Sequence, residues 1–505
     1  MYKLFDADKD TYITDKVISG VKRINSSVGY ASTLDLFKLY GITTNISGAT
    51  QTPNVEISRS LLHFEGITDL KNLLNSKKID INHESFKCYV NLKDVYGGQT
   101  TPNNFSLILS PLSKSFSEGI GKDIVYLTDF DVANFLSASE NDAWILSGAN
   151  YGGQLGDVCD YFTNGIIGSE NINFEITQSF KNGSEDALFD VTKIVSATLI
   201  NKLPDEGYRL SFIGSVESNQ QTYFVKRFAS RHAYDLTLRP KLIVKFDDSI
   251  SDDSSIMNFN LSGSLFLYNY DSQGLRNINF ESNDLTGSNC LLLKLTTPIS
   301  GGNYDIFFTG SQFSRGNFEL SGTYQAPVYV SLNPILQKKL NVSGSVTFTP
   351  IWMSLNQSSS FVTGSSIKFS GPQTFTSPLN KKKYTVSCYG VPIELKKSEK
   401  MLVRIHIFDQ TNPLLQSVKF AINDYGKIIK NCYYSIRDED SSNTVIPFDT
   451  TYNSTKLSLD SNGLYFYLDG FSLIQNRSYT IDIMTVEGNE STIYKNSSIT
   501  FKVVS

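Results

Sequence analysis

A chain of 505 residues and 56.3 kDa is too long for one core, and at roughly 100 to 200 residues per domain it divides into about three. The 45 Lys and Arg against 50 Asp and Glu leave a net charge of −5, with no basic block longer than Lys381-Lys382-Lys383, which argues against a phosphate-tracking nucleic-acid surface. With 33 Phe and 27 Tyr in a chain that is 40% hydrophobic, the apolar content suits strand faces better than helix stripes, and an all-β protein is expected.

The opening Met1-Tyr2-Lys3-Leu4-Phe5-Asp6-Ala7-Asp8 has no apolar stretch of the secretion-signal kind, and no run of about 18 apolar residues occurs, so cytoplasmic synthesis without a membrane span is expected. Cys88, Cys159, Cys290, Cys388 and Cys432 are scattered and lack Cys-x-x-Cys spacing, which predicts isolated buried thiols rather than zinc ligands.

Taken along the chain, residues 8–13 and the pair of segments 226–232 and 239–246 read as the first and last strands of one β-sandwich spanning 1–247. Between them, alternation predicts strands over 33–39, 59–64, 80–92 and 104–112. Glycine clusters at Gly97-Gly98, Glu118-Gly119-Ile120-Gly121 and 147–153 predict tight loops. Helical periodicity is limited to 68–76, with Leu70, Leu73 and Leu74 on one face, and 190–199, opened by Asp190. The acidic, Ser-rich stretch over 248–256 predicts a linker and the clearest domain boundary in the chain. Beyond it, an apolar residue followed by Ser/Thr-Gly-Ser/Thr recurs at Gly263, Gly287, Gly310, Gly322, Gly344 and Gly364, which predicts a hairpin-built sandwich over 257–375 with turns at those glycines. A second boundary at 371–383 precedes strands at 401–408, 418–422, 432–436, 465–468, 479–484 and 498–504, a C-terminal sandwich over 384–505.

Catalytic chemistry has little to rest on. His63, His83, His232 and His406 are far apart without a second ligand at metal spacing, and no Gly-x-Ser-x-Gly elbow, His-Glu-x-x-His helix or Walker loop is present. Gly119-x-Gly121 lacks the flanking elements of a dinucleotide fingerprint. The alternating carboxylates Asp6, Asp8 and Asp10 are candidate calcium ligands, although an EF-hand is ruled out by Thr11 at its sixth position and Val17 at its twelfth. The competing reading is solvated charge at a strand entry. No other cofactor is expected.

The order Asp10-Thr11-Tyr12-Ile13, Asn25, Gly29, Arg59-Ser60-Leu61-Leu62-His63-Phe64, Phe189-Asp190-Val191-Thr192, Phe228-Ala229-Ser230-Arg231 and Arg239-Pro240-Lys241-Leu242 resembles the DNRLRE-type domain over about residues 5–247. The six-letter string that names that family is absent, and of its usual tryptophans Trp144 remains. The resemblance implies a jelly-roll-like sandwich related to carbohydrate-binding modules, followed here by immunoglobulin-like or similar sandwiches. Phe116-Ser117-Glu118-Gly119-Ile120-Gly121 leading to Ala143-Trp144 and Gly152-Gly153 is similar to a loop in virion proteins of contractile-tailed bacteriophages. So is the end of the chain, with Leu464-Tyr465-Phe466-Tyr467-Leu468-Asp469-Gly470, Arg477-Ser478-Tyr479 and Phe501-Lys502-Val503-Val504. What these resemblances imply is a structural protein of a phage particle, in the tail or baseplate, assembled in the host cytoplasm in multiple copies. Its partners would be other virion proteins and host-surface polysaccharide. The alternatives are a carbohydrate-binding adhesin or accessory module and, third, a glycan-degrading enzyme.

Overall fold

The computed structural model describes residues 1–44, 51–95, 103–272, 274–372, 384–409 and 427–505. The chain is all-β and folds as tandem β-sandwich domains gathered into two compact units. The N-terminal unit comprises 3–74 and 87–245; the C-terminal unit comprises 1–2, 75–86 and 246–505.

The N-terminal unit is built on a ten-stranded sheet folded over on itself, with smaller two- and three-stranded sheets in its connections. The strands of the large sheet are β1 (Tyr2–Thr14), β2 (Thr33–Thr44), β3 (Gln51–Phe64), β4 (Lys87–Leu92), β5 (Phe105–Pro111), β6 (Ile176–Phe180), β7 (Ala187–Asp190), β8 (Tyr208–Phe212), β9 (Tyr223–Ala229) and β10 (Lys241–Lys245). They run in the order β6-β5-β8-β3-β1-β10-β4-β7, and β2 joins β3 to β9. The first and last strands, β1 and β10, are therefore neighbours in the sheet. Period-2 alternation explains the inward face: Cys88, Val90 and Leu92 are buried along β4 while the residues between them are half-exposed. The edges meet where Ala229 N–H donates to Lys93 O (3.0 Å) and Val95 N–H donates to Arg227 O (3.0 Å). At that seam the fully buried Lys226 pairs with Asp94 at 2.5 Å and donates to Gly183 O and Glu185 O. Two helices, α1 (Ile67–Asn75) and α2 (Thr192–Leu199), lie close to the positions that periodicity predicts.

The strand expected over 80–92 begins only at Lys87. Asp80 Oδ1 accepts the Asn82 N–H at 2.9 Å, a local side-chain turn that competes with extended pairing.

In the C-terminal unit, a seven-stranded sheet contains β11 (Ser262–Tyr268), β12 (Leu291–Ile299), β13 (Gly302–Arg315), β14 (Phe318–Tyr329), β15 (Ser345–Met353), β16 (Ser360–Thr363) and β17 (Ile367–Ser370), in the order β11-β14-β13-β12-β15-β16 with β17 on β15. Leu291, Leu293 and Leu295 line one face of β12 and pack with Tyr324, Phe348, Trp352 and Phe369. Apart from two short two-stranded hairpins within 270–284, the further strands are β18 (Tyr384–Tyr389), β19 (Glu394–Lys396), β20 (Lys400–Asp409), β21 (Cys432–Asp438), β22 (Thr444–Ile446), β23 (Ser458–Asp460), β24 (Gly463–Asp469), β25 (Ser478–Glu487) and β26 (Glu490–Val504). They form a four-stranded sheet, β18-β20-β24-β23, and a five-stranded sheet, β19-β26-β25-β21-β22. Tyr434 of one stacks on Phe466 of the other with ring centroids 4.1 Å apart.

Two sequence expectations are corrected here. The stretch 248–256 lies just after the break between the two units at 245/246 but is not an unattached linker: Asp252 and Asp253 are buried, Asp252 N–H donates to Leu459 O (3.0 Å), and Asp253 Oδ2 accepts the Ser264 N–H (2.9 Å). Its carboxylates serve as acceptors for backbone amides, so acidity here marks pinned turns rather than a free linker. Nor are the six Ser/Thr-Gly phrases uniformly turns. Gly263, Gly310 and Gly322 lie inside strands, and Gly344, at φ 68°, caps α3 (Pro334–Ser343), a helix that two buried leucines, Leu336 and Leu340, were too few to reveal.

The glycines Gly97-Gly98, the strand expected at 418–422 and most of the boundary at 371–383 lie outside the described residues. All five cysteines are free and buried, and no helix among the described residues is long and apolar enough to cross a membrane.

Candidate functional site: a pinned apolar lobe and a tyrosine-lined cleft

The three aspartates of β1 do not converge. Asp6 binds Lys241 at 2.6 Å, Asp8 binds His63 Nδ1 at 2.5 Å, and Asp10 Oδ2 accepts the Arg231 N–H at 2.5 Å. Each carboxylate is taken by a different donor, so the calcium site expected from Asp6, Asp8 and Asp10 is not assembled. Among the described residues, no group of three His, Cys, Asp or Glu side chains is set to hold a metal ion. Asp10 is fully buried, and burial together with the nearby Glu118 charge pushes its carboxyl up to about 8 despite the Arg231 amide. At neutral pH its carboxyl is thus largely protonated.

Those same residues anchor the longest excursion of the N-terminal unit, which leaves β5 and returns at β6. Glu118 is the plug. Its carboxylate takes Arg231 in a two-pronged pair (2.6 and 2.7 Å) and accepts the Asp10 N–H at 2.9 Å. Gly29 and Gly121 let the backbones of 27–30 and 118–121 touch: a Cβ on Gly29 would strike the Glu118 carbonyl, and one on Gly121 the Ser27 carbonyl. Tyr30 N–H donates to Gly121 O at 2.7 Å across the same contact.

A small core fixes the rest of the lobe, with Phe116, Ala133, Ala138, Trp144 and Ala149 packed on Ile13 of β1 and Leu61 of β3. Trp144 Nε1 donates to Asn134 O (2.9 Å), Arg59 Nη1 to Gly148 O (2.6 Å), and Asp160 accepts the amides of Ile145, Leu146 and Tyr151. Asp123 Oδ1 gathers the amides of Val125, Tyr126 and Leu127, which holds its carboxyl below the usual range. Ile120 N–H binds Asp129 Oδ2 at 2.9 Å, folding 119–121 against 129–132. On this anchored base the side chains of Ile120, Tyr126, Leu127 and Phe130 all stand in solvent, Tyr126 being 88% exposed.

The second feature is a cleft of about 1210 Å³ in the C-terminal unit. It is lined from β11 and the residues after it by Tyr268 and Tyr270, from β15 by Trp352, from β20 by Arg404, and from β23 and β24 by Asp460, Tyr465 and Tyr467. Each tyrosine pair is spaced i, i+2, and Tyr465 and Tyr467 therefore project from the same face of β24. Arg404 grips Asp460 through both guanidinium nitrogens (2.6 and 2.8 Å) and lies 5.0 Å from the Tyr465 ring centroid. That carboxylate bond, outweighing burial, raises the Arg404 guanidinium. Burial, with Tyr465 next, drives the Tyr268 hydroxyl upward, so the two pairs lie close enough to sense one another. Tyr465 is pushed up to about 12 by burial and Asp460, and Asp252 to about 6 by burial despite its Ser254 bonds. Lys430 pairs with Asp253 at 2.7 Å on the same wall.

Sequence reasoning quoted Glu118 as part of a similar loop without its role, and it missed the cleft. Two tyrosines at i, i+2 in each of two segments was the available signal; their meeting brings together different sheets whose strands lie nearly two hundred residues apart in sequence.

No family model matches the chain, and no curated protein matches it. Among solved structures, the chain is similar to the amphioxus IgVJ-C2 molecule, at 9% identity over 48% of this chain and 98% of that one, with a TM-score of 0.13. It is also similar to the FN1-FN3 domains of chicken CNTN1, at 11% identity over 59% of this chain and 81% of that one, with a TM-score of 0.14. Neither likeness bears on what the chain does.

Proposed function

We propose that the chain is a non-catalytic structural component of a tailed-phage particle, in the tail or baseplate, present in several copies and acting through contact with other virion proteins. The single observation that carries this reading is the lobe at 116–151: an ionic plug, a miniature core and two close backbone crossings hold it rigid, yet its apolar tips face water. Rigid apolar side chains in solvent lose little conformational entropy on docking and bury area readily, the property of interface anchors. The resemblance to phage virion loops supports the assignment, since the lobe contains the Phe116–Gly121 string that carries part of it. A stable assembly contact needs on the order of 1,200 Å² in total, and this lobe would form its centre.

Gold-labelled antibodies against the chain should decorate purified particles at one fixed position, and Tyr126→Asp with Phe130→Asp should leave the chain folded but unincorporated. Unlabelled particles, or normal incorporation of that double variant, would overturn the reading.

A further inference from the structure

We infer that the cleft of the C-terminal unit is a binding site for a linear, uncharged oligosaccharide. This is independent of the lobe and of the particle assignment. Three properties of the cleft select that ligand class.

The first is its walls. A sugar ring offers an apolar C–H face and a rim of hydroxyls, and it is held by aromatic faces combined with planar polar groups that meet two adjacent hydroxyls at once. The cleft supplies Tyr270, 68% exposed, and Tyr467, 48% exposed, as accessible faces, with Trp352 beneath. The Arg404–Asp460 fork lies beside them, already oriented by its two bonds and by the Tyr465 ring.

Size is the second. At about 1210 Å³ the cleft exceeds the roughly 300–1,000 Å³ of ordinary small-molecule sites, so it suits a chain of several sugars rather than one compact metabolite. Charge is the third. The wall carries both signs, with Lys368, Arg404, Lys427 and Lys430 interspersed with Asp252, Asp253 and Asp460, and the pairs Arg404–Asp460 and Lys430–Asp253 cancel part of that charge, so no strong single-sign field draws in an ionic ligand.

Hydrolysis is not the expected outcome, because the carboxylates near the cleft are occupied. Asp460 is held by Arg404, Asp253 by Lys430 and the Ser264 amide, and Asp252 accepts the Ser254 N–H at 3.1 Å. A glycosidase needs two carboxyl groups free to face the scissile bond.

The test titrates the full chain with cellohexaose, chitohexaose, laminarihexaose and maltohexaose by calorimetry, with a printed array of longer neutral glycans alongside. Saturable binding of a neutral oligosaccharide is expected, weakened at least about tenfold in Tyr270→Ala with Tyr467→Ala, since each ring contributes one stacking face. Both side chains are exposed, so the melting temperature of the double variant should match the parent and exclude misfolding as the cause. Absence of binding to every probe, binding unaffected by the double variant, or a preference for acidic glycans would overturn the inference. Release of shorter sugars would replace it with a hydrolytic site. None of these results depends on whether particles contain the chain.

Discussion

Both units bury carboxylates, Asp10, Asp15 and Asp160 among them in the N-terminal unit, but they differ in buried bases. In the N-terminal unit Lys3, Lys38, Arg59, Arg209 and Lys226 are buried, whereas among the described residues of the C-terminal unit no Lys or Arg is buried, and Asp80, Asp252, Asp253, Asp438, Asp449 and Asp482 are. The difference follows what each unit must tie down. Connections of several lengths present carbonyls, and bases have the donors to collect them: Lys38 takes Asn219 O and Gln221 O, Lys226 takes Gly183 O and Glu185 O, and Arg59 takes Gly148 O. Short turns instead present amides, and carboxylates cap them: Asp438 takes the Ser441 N–H and Asp449 the Tyr452 N–H. The N-terminal unit also uses carboxylate caps, at Asp123 and Asp160, within its lobe. A buried base here marks a connection held against a sheet through its carbonyls, and Arg59 ties the lobe down in this way at Gly148.

The comparison is most exposed to failure at Arg59, which is 2% exposed and grips Glu217 at 3.0 and 2.7 Å as well as the lobe. Arg59→Ala should destabilise the N-terminal unit by about 3–5 kcal/mol, because it strands a buried carboxylate and a loop carbonyl. The chain has two tryptophans, Trp144 in the N-terminal unit and Trp352 in the C-terminal unit, so urea unfolding in Trp352→Phe and Trp144→Phe backgrounds reads each unit separately. Only the Trp144 transition should move.

Glu118→Ala comes next, at about 2–3 kcal/mol, since it removes a charged acceptor from Arg231 and from the Asp10 amide. Limited proteolysis should then cut within 119–131 before any other described segment. In the C-terminal unit, Asp449→Ala should cost less, about 1–2 kcal/mol, by freeing the Tyr452 amide and the Ser454 hydroxyl. Hydrogen exchange should quicken at Tyr452 and stay unchanged in the lobe.

A further effect is on pH dependence. Asp10 is raised from 3.8 to about 8 in the folded chain by burial, so the folded state retains a proton that the unfolded chain loses. Its contribution is complete below about pH 4 and is lost as pH rises to about 8. The Asp8–His63 pair behaves differently. Although burial opposes both charges, their mutual bond lowers Asp8 and raises His63, so the Asp8 part disappears as pH falls through its lowered value and the His63 part as pH rises through its raised value. Asp10→Asn should therefore flatten stability from about pH 4 upward by up to one proton's slope, whereas His63→Gln should alter the slope on the alkaline side only above about pH 6.5. An unchanged slope in Asp10→Asn would remove the buried carboxyl from the account.

Much of the strand framework was legible. Alternation located β4, β20 and β24 because one buried face imposes period 2, and Leu70 with its neighbours located α1. Two features were not. The acidic stretch 248–256 reads as a linker by composition, yet its carboxylates turn inward onto amides that only the folded chain brings near. Asp6, Asp8 and Asp10 alternate as ligands would, but their partners Lys241, His63 and Arg231 come from distant segments, and pairing with them separates the three carboxylates. The cleft was hidden for the same reason, since its tyrosine pairs are nearly two hundred residues apart in sequence.

The central claim is that the lobe is a rigid contact surface. Hydroxyl-radical footprinting of Tyr126 and Phe130, in the free chain and in intact particles, tests it most directly. The account predicts strong labelling of both in the free chain and protection in particles, with Tyr234, an exposed residue elsewhere in the same unit, labelled alike in both. Equal labelling of Tyr126 and Phe130 in the two states would contradict it.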